Sequence, residues 1–211
     1  MALDRQFPKE AQERIAAAVR RAESTSTGQV VPVVVERSEP YEEARWIAAV
    51  VGAALATLAV ELLVEDPTVA EVLLFQVLSG AVGWLVGRLP AVERLLAGRR
   101  HQEQAVHGRA EQAFFEHGLH QTREGTGVLV FASLREHRAV IIGDRGIHAR
   151  MGDGEWQRAV DALVAGMRGG TPGHGFETAI DLVGARLAEH FPRREGEAAV
   201  NELPDGLNRG R

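Results

Sequence analysis

The chain has 211 residues, a formal net charge of −5 and no cysteine. This length allows a single domain with a substantial core, or one domain with an insertion. The negative charge argues against nucleic acid as a partner, because phosphate binding normally requires a clustered basic excess. The absence of cysteine excludes disulfides, a thiol nucleophile and cysteine metal ligands.

The first forty residues have the pattern of a soluble α/β domain. We expect no cleavable secretion signal, because the N-terminal residues include no long apolar stretch. Apolar residues at helical spacing predict an amphipathic helix that ends near residues 24–28. The next segment, QVVPVVVE at 29–36, is a nearly continuous valine run and predicts a strand covered on both faces. Pro32 cannot donate to a sheet, so the strand should lie at an edge there or carry a bulge.

Two long apolar segments interrupt this domain. Residues 46–60 and 72–86 contain no charged side chain, and about twenty helical residues cross the hydrocarbon thickness of a bilayer. A helix on the surface of a soluble protein would show a polar stripe, and neither segment does. The short acidic linker EDP contains Pro67, which favours an antiparallel turn. We predict a transmembrane helical hairpin over 44–89; a soluble or peripheral hairpin is the alternative.

The flanking charges predict the orientation of this hairpin. Arginines lie near its open end and none lies at its tip, so the positive-inside rule places the open end in the cytoplasm. The arginines are Arg37, Arg45, Arg88, Arg94, Arg99 and Arg100. We therefore expect a bacterial inner-membrane protein with both termini in the cytoplasm. Small residues on the helices allow close packing and leave homo-oligomerisation open; they are Gly52, Ala56, Gly83 and Gly87.

After the hairpin the α/β pattern resumes. A helical stretch from Ala91 to about His117 precedes TGVLVFAS and RAVIIG, two strands separated by LREH that predict a β-hairpin. Two amphipathic helices follow, and then a charged tail over 193–211 in which NELPDGL is expected to dock. The order of elements predicts a layered α/β/α domain with a mixed sheet, formed by 1–43 and 90–192.

Polar residues cluster at the predicted strand ends. Glu36 and Ser38 follow the first strand, and Asp144, Arg145 and His148 lie in the loop GDRGIHARMGDGE. Ligands of open α/β sheets collect outside the carboxyl ends of parallel strands. These five residues are therefore the predicted ligand-binding candidates.

The same loop contains the predicted metal ligands Asp144, Asp153 and Glu155, which Glu36 is expected to join. Their carboxylate oxygens would suit calcium or magnesium. As an alternative, Asp144 or Asp153 could cap a helix, and Arg145 could be a surface ion-pair partner.

The sequence from GVLVFASLREHRAVIIGDRGIHARMGDGEWQ to GFETAIDLVG resembles the TPM domain family, which is named partly for a thylakoid lumen protein of photosystem II repair. The resemblance covers about 7–192 without the apolar insertion. TGQVVPVVV before a hydrophobic hairpin, with HFP and NELPDGL near the end, resembles a bacterial branch of membrane proteins. Typical members are exported behind a signal peptide, whereas in this chain the membrane segments lie inside the domain.

The resemblance implies acidic metal sites and acid phosphatase activity in some relatives. Asp144, Arg145 and His148 could nominally serve such a reaction, but the sequence has no phosphate loop, serine elbow or histidine–glutamate metal motif. We therefore predict an inner-membrane protein whose cytoplasmic TPM-like domain is a binding or assembly module for membrane protein partners. The alternative is a metal-dependent phosphatase that uses the Asp144–Glu155 loop, so whether the protein is an enzyme stays open.

Overall fold

A computed structural model describes residues 5–193 and 203–210, without the side chains of Arg94 and Asp153. The chain divides into two compact units. The first comprises 1–38 together with 105–211, and the second comprises 39–104. The second unit contains the predicted hairpin and the residues that flank it.

Long helices alternate with short strands along the chain. The helices are α1 (Lys9–Thr25), α2 (Glu42–Leu63), α3 (Val69–Val86), α4 (Pro90–Leu96), α5 (Arg99–Glu116), α6 (Arg145–His148), α7 (Gln157–Arg168) and α8 (Pro172–His190). The strands are β1 (Gln29–Val35), β2 (Gly127–Ser133), β3 (Arg138–Gly143) and β4 (Asn208–Arg209). Short 3₁₀ turns lie at Leu119–Gln121 and Asp153–Trp156.

The first unit is built on a mixed sheet with strand order β3-β2-β1-β4. β1 is parallel to β2 and β4, and β3 is antiparallel to β2. His137 closes the β2–β3 turn with a positive φ of 51°, a conformation that permits a tight reversal. The predicted mixed sheet and its β-hairpin are confirmed.

Pro32 shows how β1 tolerates a missing donor. The Gly210 N–H donates to the Val34 carbonyl at 3.0 Å, and alternate residues of a strand direct their backbone groups to the same side, so Pro32 faces the β4 side as well. β4 pairs with only Val33 and Val34. β1 is therefore an edge at Pro32, as predicted, although β4 makes it an inner strand at Val33 and Val34.

The core of the first unit lies on both faces of the sheet. One cluster joins α1, α7 and α8 to one face through residues such as Ile15, Val130 and Phe176. The other joins α5 to the opposite face through residues such as Phe114 and Phe131. This arrangement confirms the layered α/β/α architecture.

The C-terminal segment docks on the first unit, as predicted for NELPDGL. Leu207 packs against one core cluster and Leu203 against the other. The first residues of that motif, Asn201 and Glu202, lie outside the described residues, as does the stretch 194–200.

The helix predicted from Ala91 to His117 is in fact broken. α4 ends at Leu96, and Gly98 takes a φ of +69° before α5 begins. A glycine in the left-handed conformation is a common helix terminator. The prediction missed this break because the apolar pattern continues on both sides of it.

The second unit contains two antiparallel helices, α2 and α3. Gly52 lies against the Ser79 backbone, and Gly83 against the Ala48 backbone. Thr68 and Glu71 form a capping box at the start of α3, which satisfies backbone donors at the tip. Both helices are long and apolar enough to cross a membrane, and α3, all of whose residues are described, buries no side chain.

We expect Gly83→Ala to destabilise the packing of α2 against α3 by about 1–3 kcal/mol. The added Cβ would overlap the Ala48 carbonyl oxygen. Gly80→Ala is the matched control, because its Cβ would lie at an ordinary 3.6 Å from the Ala49 oxygen. The free energy of unfolding of the detergent-solubilised chain should be lower for Gly83→Ala than for Gly80→Ala. Equal values for the two variants would contradict this packing of the helices.

Candidate functional site

The structure places the predicted site residues at opposite ends of the sheet. Glu36 and Ser38 follow β1 at its carboxyl end. The Asp144 N–H instead donates to the Gly127 carbonyl at 2.8 Å, beside the start of β2. A strand of this length separates the two ends by about 20 Å. The expectation that Glu36 joins Asp144 and Asp153 in one metal site is therefore wrong, because β3 runs antiparallel to its neighbour.

The carboxyl end of β1 is organised by Glu136, which was not predicted as a site residue from the sequence. The Ser133 hydroxyl donates a short hydrogen bond to this buried carboxylate, and the Ser38 N–H donates to it at 3.2 Å. Glu36 is exposed, and the Ser38 hydroxyl is buried without a hydrogen-bond partner in the described structure. Glu136 thus fixes the backbone that leaves β1 and fills this end of the sheet.

Asp144 caps helix α6, as the structural alternative predicted. Its Oδ1 accepts a hydrogen bond from the Arg145 N–H at 2.7 Å. The residue is only 7% exposed, and its Oδ2 is buried with no hydrogen-bond partner in the part of the chain that the structure describes. A buried carboxylate oxygen without a donor is costly, which makes this atom the most unusual polar group of the loop.

The other predicted loop residues do not converge on Asp144. Arg145 and His148 are exposed on α6, and Glu155 forms an ion pair with Arg186 at 3.3 Å. The Asp153 side chain lies outside the described residues. Among the side chains that the structure describes, no group of three or more histidine or acidic residues is arranged to hold a metal ion.

A cleft of about 580 Å³ opens beside α6. The lining residues are Thr27, Glu124, Thr126, Gly146, Ala149, Arg150, Phe191 and Pro192. The Arg150 guanidinium lies 4.9 Å from the centre of the Phe191 ring and donates to the His190 carbonyl at 3.1 Å. This cleft was not predicted from the sequence, although two of its walls come from the HFP and GDRG motifs.

Gly146 is required where α6 meets the loop before β2. A Cβ at this position would lie 2.6 Å from the Glu124 oxygen and 2.7 Å from the Gly125 oxygen. The Gly146 N–H also donates to the Gly125 carbonyl at 2.9 Å. This close backbone approach forms the floor of the cleft and explains the second glycine of GDRG.

Glu23 is a further buried carboxyl group in the first unit, besides Glu136 and Asp144. It accepts a hydrogen bond from the Val30 N–H at 2.9 Å, on the β4 side of β1 but at a residue that β4 does not pair with. Burial raises the pKa of Glu23 to about 7, with a smaller upward effect from Asp205, while the Val30 N–H and Arg193 lower it. The carboxyl group of Glu23 therefore titrates near neutral pH.

Glu23→Gln should flatten the pH dependence of stability between about pH 4.5 and 7. The pKa of Glu23 is higher in the folded chain than its usual 4.5, so the folded state binds the proton more tightly. This stabilisation is fully present below pH 4.5 and is lost as the pH rises through 7. We expect it to amount to about 3 kcal/mol, measured by denaturant unfolding across this range. If the free energy of unfolding of the variant fell with pH as steeply as that of the wild type, the raised pKa of Glu23 would be contradicted.

Together these features define a layered α/β domain with an apolar helical hairpin inserted between β1 and β2. Residues 92–186 match the family model described as the TPM domain. The matched segment includes β2, β3, the Asp144 loop and α7, and over these residues the predicted resemblance to the TPM domain family is confirmed.

A solved structure supports the same fold. The NMR structure of the BA42 protein from the psychrophilic bacterium Bizionia argentinensis aligns with 97% of this chain and 95% of its own, at 19% identity and a TM-score of 0.58. At this identity the likeness shows the fold alone. No curated protein is significantly similar to the chain.

Proposed function

We propose that the chain is a multi-pass inner-membrane protein whose cytoplasmic TPM domain binds membrane protein partners. The observation that carries the membrane part is the outer surface of α2 and α3. Large apolar side chains are exposed along both helices, Trp46, Leu55 and Leu58 on α2 and Leu73, Phe75 and Leu78 on α3 among them. Soluble monomers rarely expose apolar patches larger than a few hundred Å².

The polar side chains inside the hairpin support a lipid environment. The Gln76 amide donates to the Thr57 hydroxyl at 2.7 Å, and that hydroxyl donates to the Ala53 carbonyl at 3.0 Å. These groups therefore satisfy one another between the helices. Such pairing across a helix interface is typical of membrane-spanning helices, where water cannot provide a partner.

The open end of the hairpin supports the cytoplasmic orientation. The Arg88 guanidinium lies 4.0 Å from the centre of the Trp84 ring, and tryptophan and arginine are favoured at the edge of the hydrocarbon layer. The tip carries Glu65 and Asp66 and no arginine. The positive-inside rule then directs the TPM domain to the cytoplasm.

The cleft beside α6 supports the binding role. It is open, mixes polar and aromatic walls, and presents an arginine that lies over a phenylalanine ring. Aromatic and arginine side chains are enriched at protein interfaces and account for much of their binding energy. A segment of a partner protein would match this lining.

Purification of the full chain in detergent, followed by mass spectrometry of the proteins that co-purify, tests the binding role. Arg150→Glu should reduce recovery of the specific partners at least about tenfold. Arg158→Glu is the matched control, because Arg158 is exposed on α7 and does not line the cleft. Equal recovery with both variants would contradict binding at the cleft.

A metal-dependent phosphatase is the second candidate, and the buried Oδ2 of Asp144 favours it. This oxygen would suit calcium or magnesium, with the remaining ligands from carbonyls or water. If a metal binds there, either ion should raise the melting temperature of the wild type and have no effect on Asp144→Asn. Hydrolysis of a phosphomonoester by the wild type with the metal ion, and not by Asp144→Asn, would then establish an enzyme. No response to either ion in the wild type would remove this candidate.

A further inference from the structure

A cavity of about 400 Å³ lies at the open end of the hairpin, within the second unit. Its walls come from the segment before α2, the first turn of α2, the end of α4 and the first turn of α5. The polar lining residues are Glu39, Tyr41, Glu42, Glu43 and His101. This volume is within the range of small-molecule binding sites.

The polar wall of the cavity favours a cation. Three of its residues are glutamates, and His101 Nε2 lies 3.5 Å from the Glu39 carboxylate. The Tyr41 ring is 5.9 Å from the His101 ring, centre to centre. The Arg45 guanidinium forms an ion pair with the buried Glu93 at 3.7 Å, whereas Glu39, Glu42 and Glu43 are exposed. Carboxylates beside a tyrosine ring are a typical environment for a bound ammonium group.

The other wall of the cavity is apolar and continues onto the outer surface of the helices. Ile47 and Leu96 line it. Next to them Trp46 is exposed, and Leu95 is 79% exposed. A ligand that fits both walls has a cationic head and an apolar tail.

We propose that this cavity binds the headgroup of a phospholipid that carries a primary ammonium group, with its acyl chains along α2. This inference rests on the proposed membrane function, which puts the first turn of α2 at the level of the headgroups. A primary ammonium donates several hydrogen bonds to carboxylates, whereas a choline group donates none. An anionic glycerol headgroup would be repelled by the glutamates.

Arg100, next to the lining residue His101 in the first turn of α5, adds positive charge near the rim of the cavity. The phosphate of a zwitterionic headgroup would be attracted to this rim while its ammonium faces the glutamates. The order of charges along the wall therefore matches a headgroup that carries both signs.

Native mass spectrometry of the full chain, supplied with equal amounts of phosphatidylethanolamine, phosphatidylcholine and phosphatidylglycerol of identical acyl chains, tests the proposal. We expect one phosphatidylethanolamine to be retained about tenfold better than the other two, the effect of one charge-assisted hydrogen bond. Glu42→Gln with Glu43→Gln should abolish this preference. Glu61→Gln with Glu65→Gln, two exposed residues at the far end of the hairpin, is the control and should preserve it.

Equal retention of the three lipids, or a preference that survives the Glu42 and Glu43 substitutions, would overturn the proposal. Repeating the experiment with magnesium added separates a headgroup site from a metal site. The preference for phosphatidylethanolamine should persist in magnesium, and its loss there would show that the carboxylates bind the metal ion instead. Failure of the membrane function itself has a different signature: the chain would then leave membranes in alkaline carbonate and bind none of the lipids.

Discussion

Replacing Leu55 and Leu78 together by arginine should remove the hairpin from the membrane. These side chains are 61% and 54% exposed, and they lie well inside α2 and α3. Arginine at the centre of a spanning helix costs about 3 kcal/mol and replaces a leucine that favours insertion by about 0.5 kcal/mol. The strongly apolar residues of α2 favour insertion by only roughly 3–5 kcal/mol, so one arginine removes most of that gain, and the second acts in the same way on α3. The hairpin of the double variant should therefore no longer insert stably.

The soluble alternative predicts the opposite outcome for the same variant. An exposed leucine on a soluble hairpin can be replaced by arginine within about 0.5 kcal/mol. Resistance of the chain to alkaline carbonate extraction separates the alternatives. Leu63→Arg is the control, because Leu63 is 82% exposed at the tip end of α2, where arginine can reach the interface. Carbonate resistance retained by the double variant would contradict the transmembrane hairpin.

Phe176→Ala should destabilise the first unit by about 3–5 kcal/mol. Phe176 is fully buried on α8, and its ring packs edge-on against Phe7 with the ring centres 5.8 Å apart. The substitution removes the aromatic contact and leaves a cavity between α8 and the residues before α1. Thermal unfolding of the full chain in detergent, followed by circular dichroism, measures the loss.

Phe115→Ala is the matched control for this prediction. Phe115 is 62% exposed on α5, so the same change of side chain leaves no cavity there, and the cost should stay below about 1 kcal/mol. Comparable losses at Phe176 and Phe115 would show that the core does not lie where the structure places it.

The layers of the fold could be predicted because each follows from a local pattern. The valine run of β1 and the alternation of helix and strand signals led to a mixed sheet between helices. The missing polar stripe identified two apolar helices inside the domain. The break at Gly98 was not predicted, because a single glycine ends a helix only when the backbone takes a positive φ there.

The candidate site was less predictable, since it depends on how distant segments meet. Asp144 lies in the loop where the sequence placed it, but the direction of β3 decides that it lies far from Glu36. Glu136, Glu23 and Arg150 have no distinguishing sequence signal. Glu23 becomes unusual only because it is buried beside the part of β1 that β4 does not pair with. Arg150 becomes unusual only because Phe191 closes the cleft beside it.

The accessibility of single cysteines tests the membrane topology most directly, and the natural chain contains none. In intact cells, a membrane-impermeable thiol reagent should label Asp66→Cys at the tip of the hairpin. The same reagent should label Lys9→Cys, at the start of α1, only after the inner membrane is permeabilised. Labelling of both positions in intact cells, or of neither until permeabilisation, would contradict a hairpin that crosses the membrane with the TPM domain in the cytoplasm.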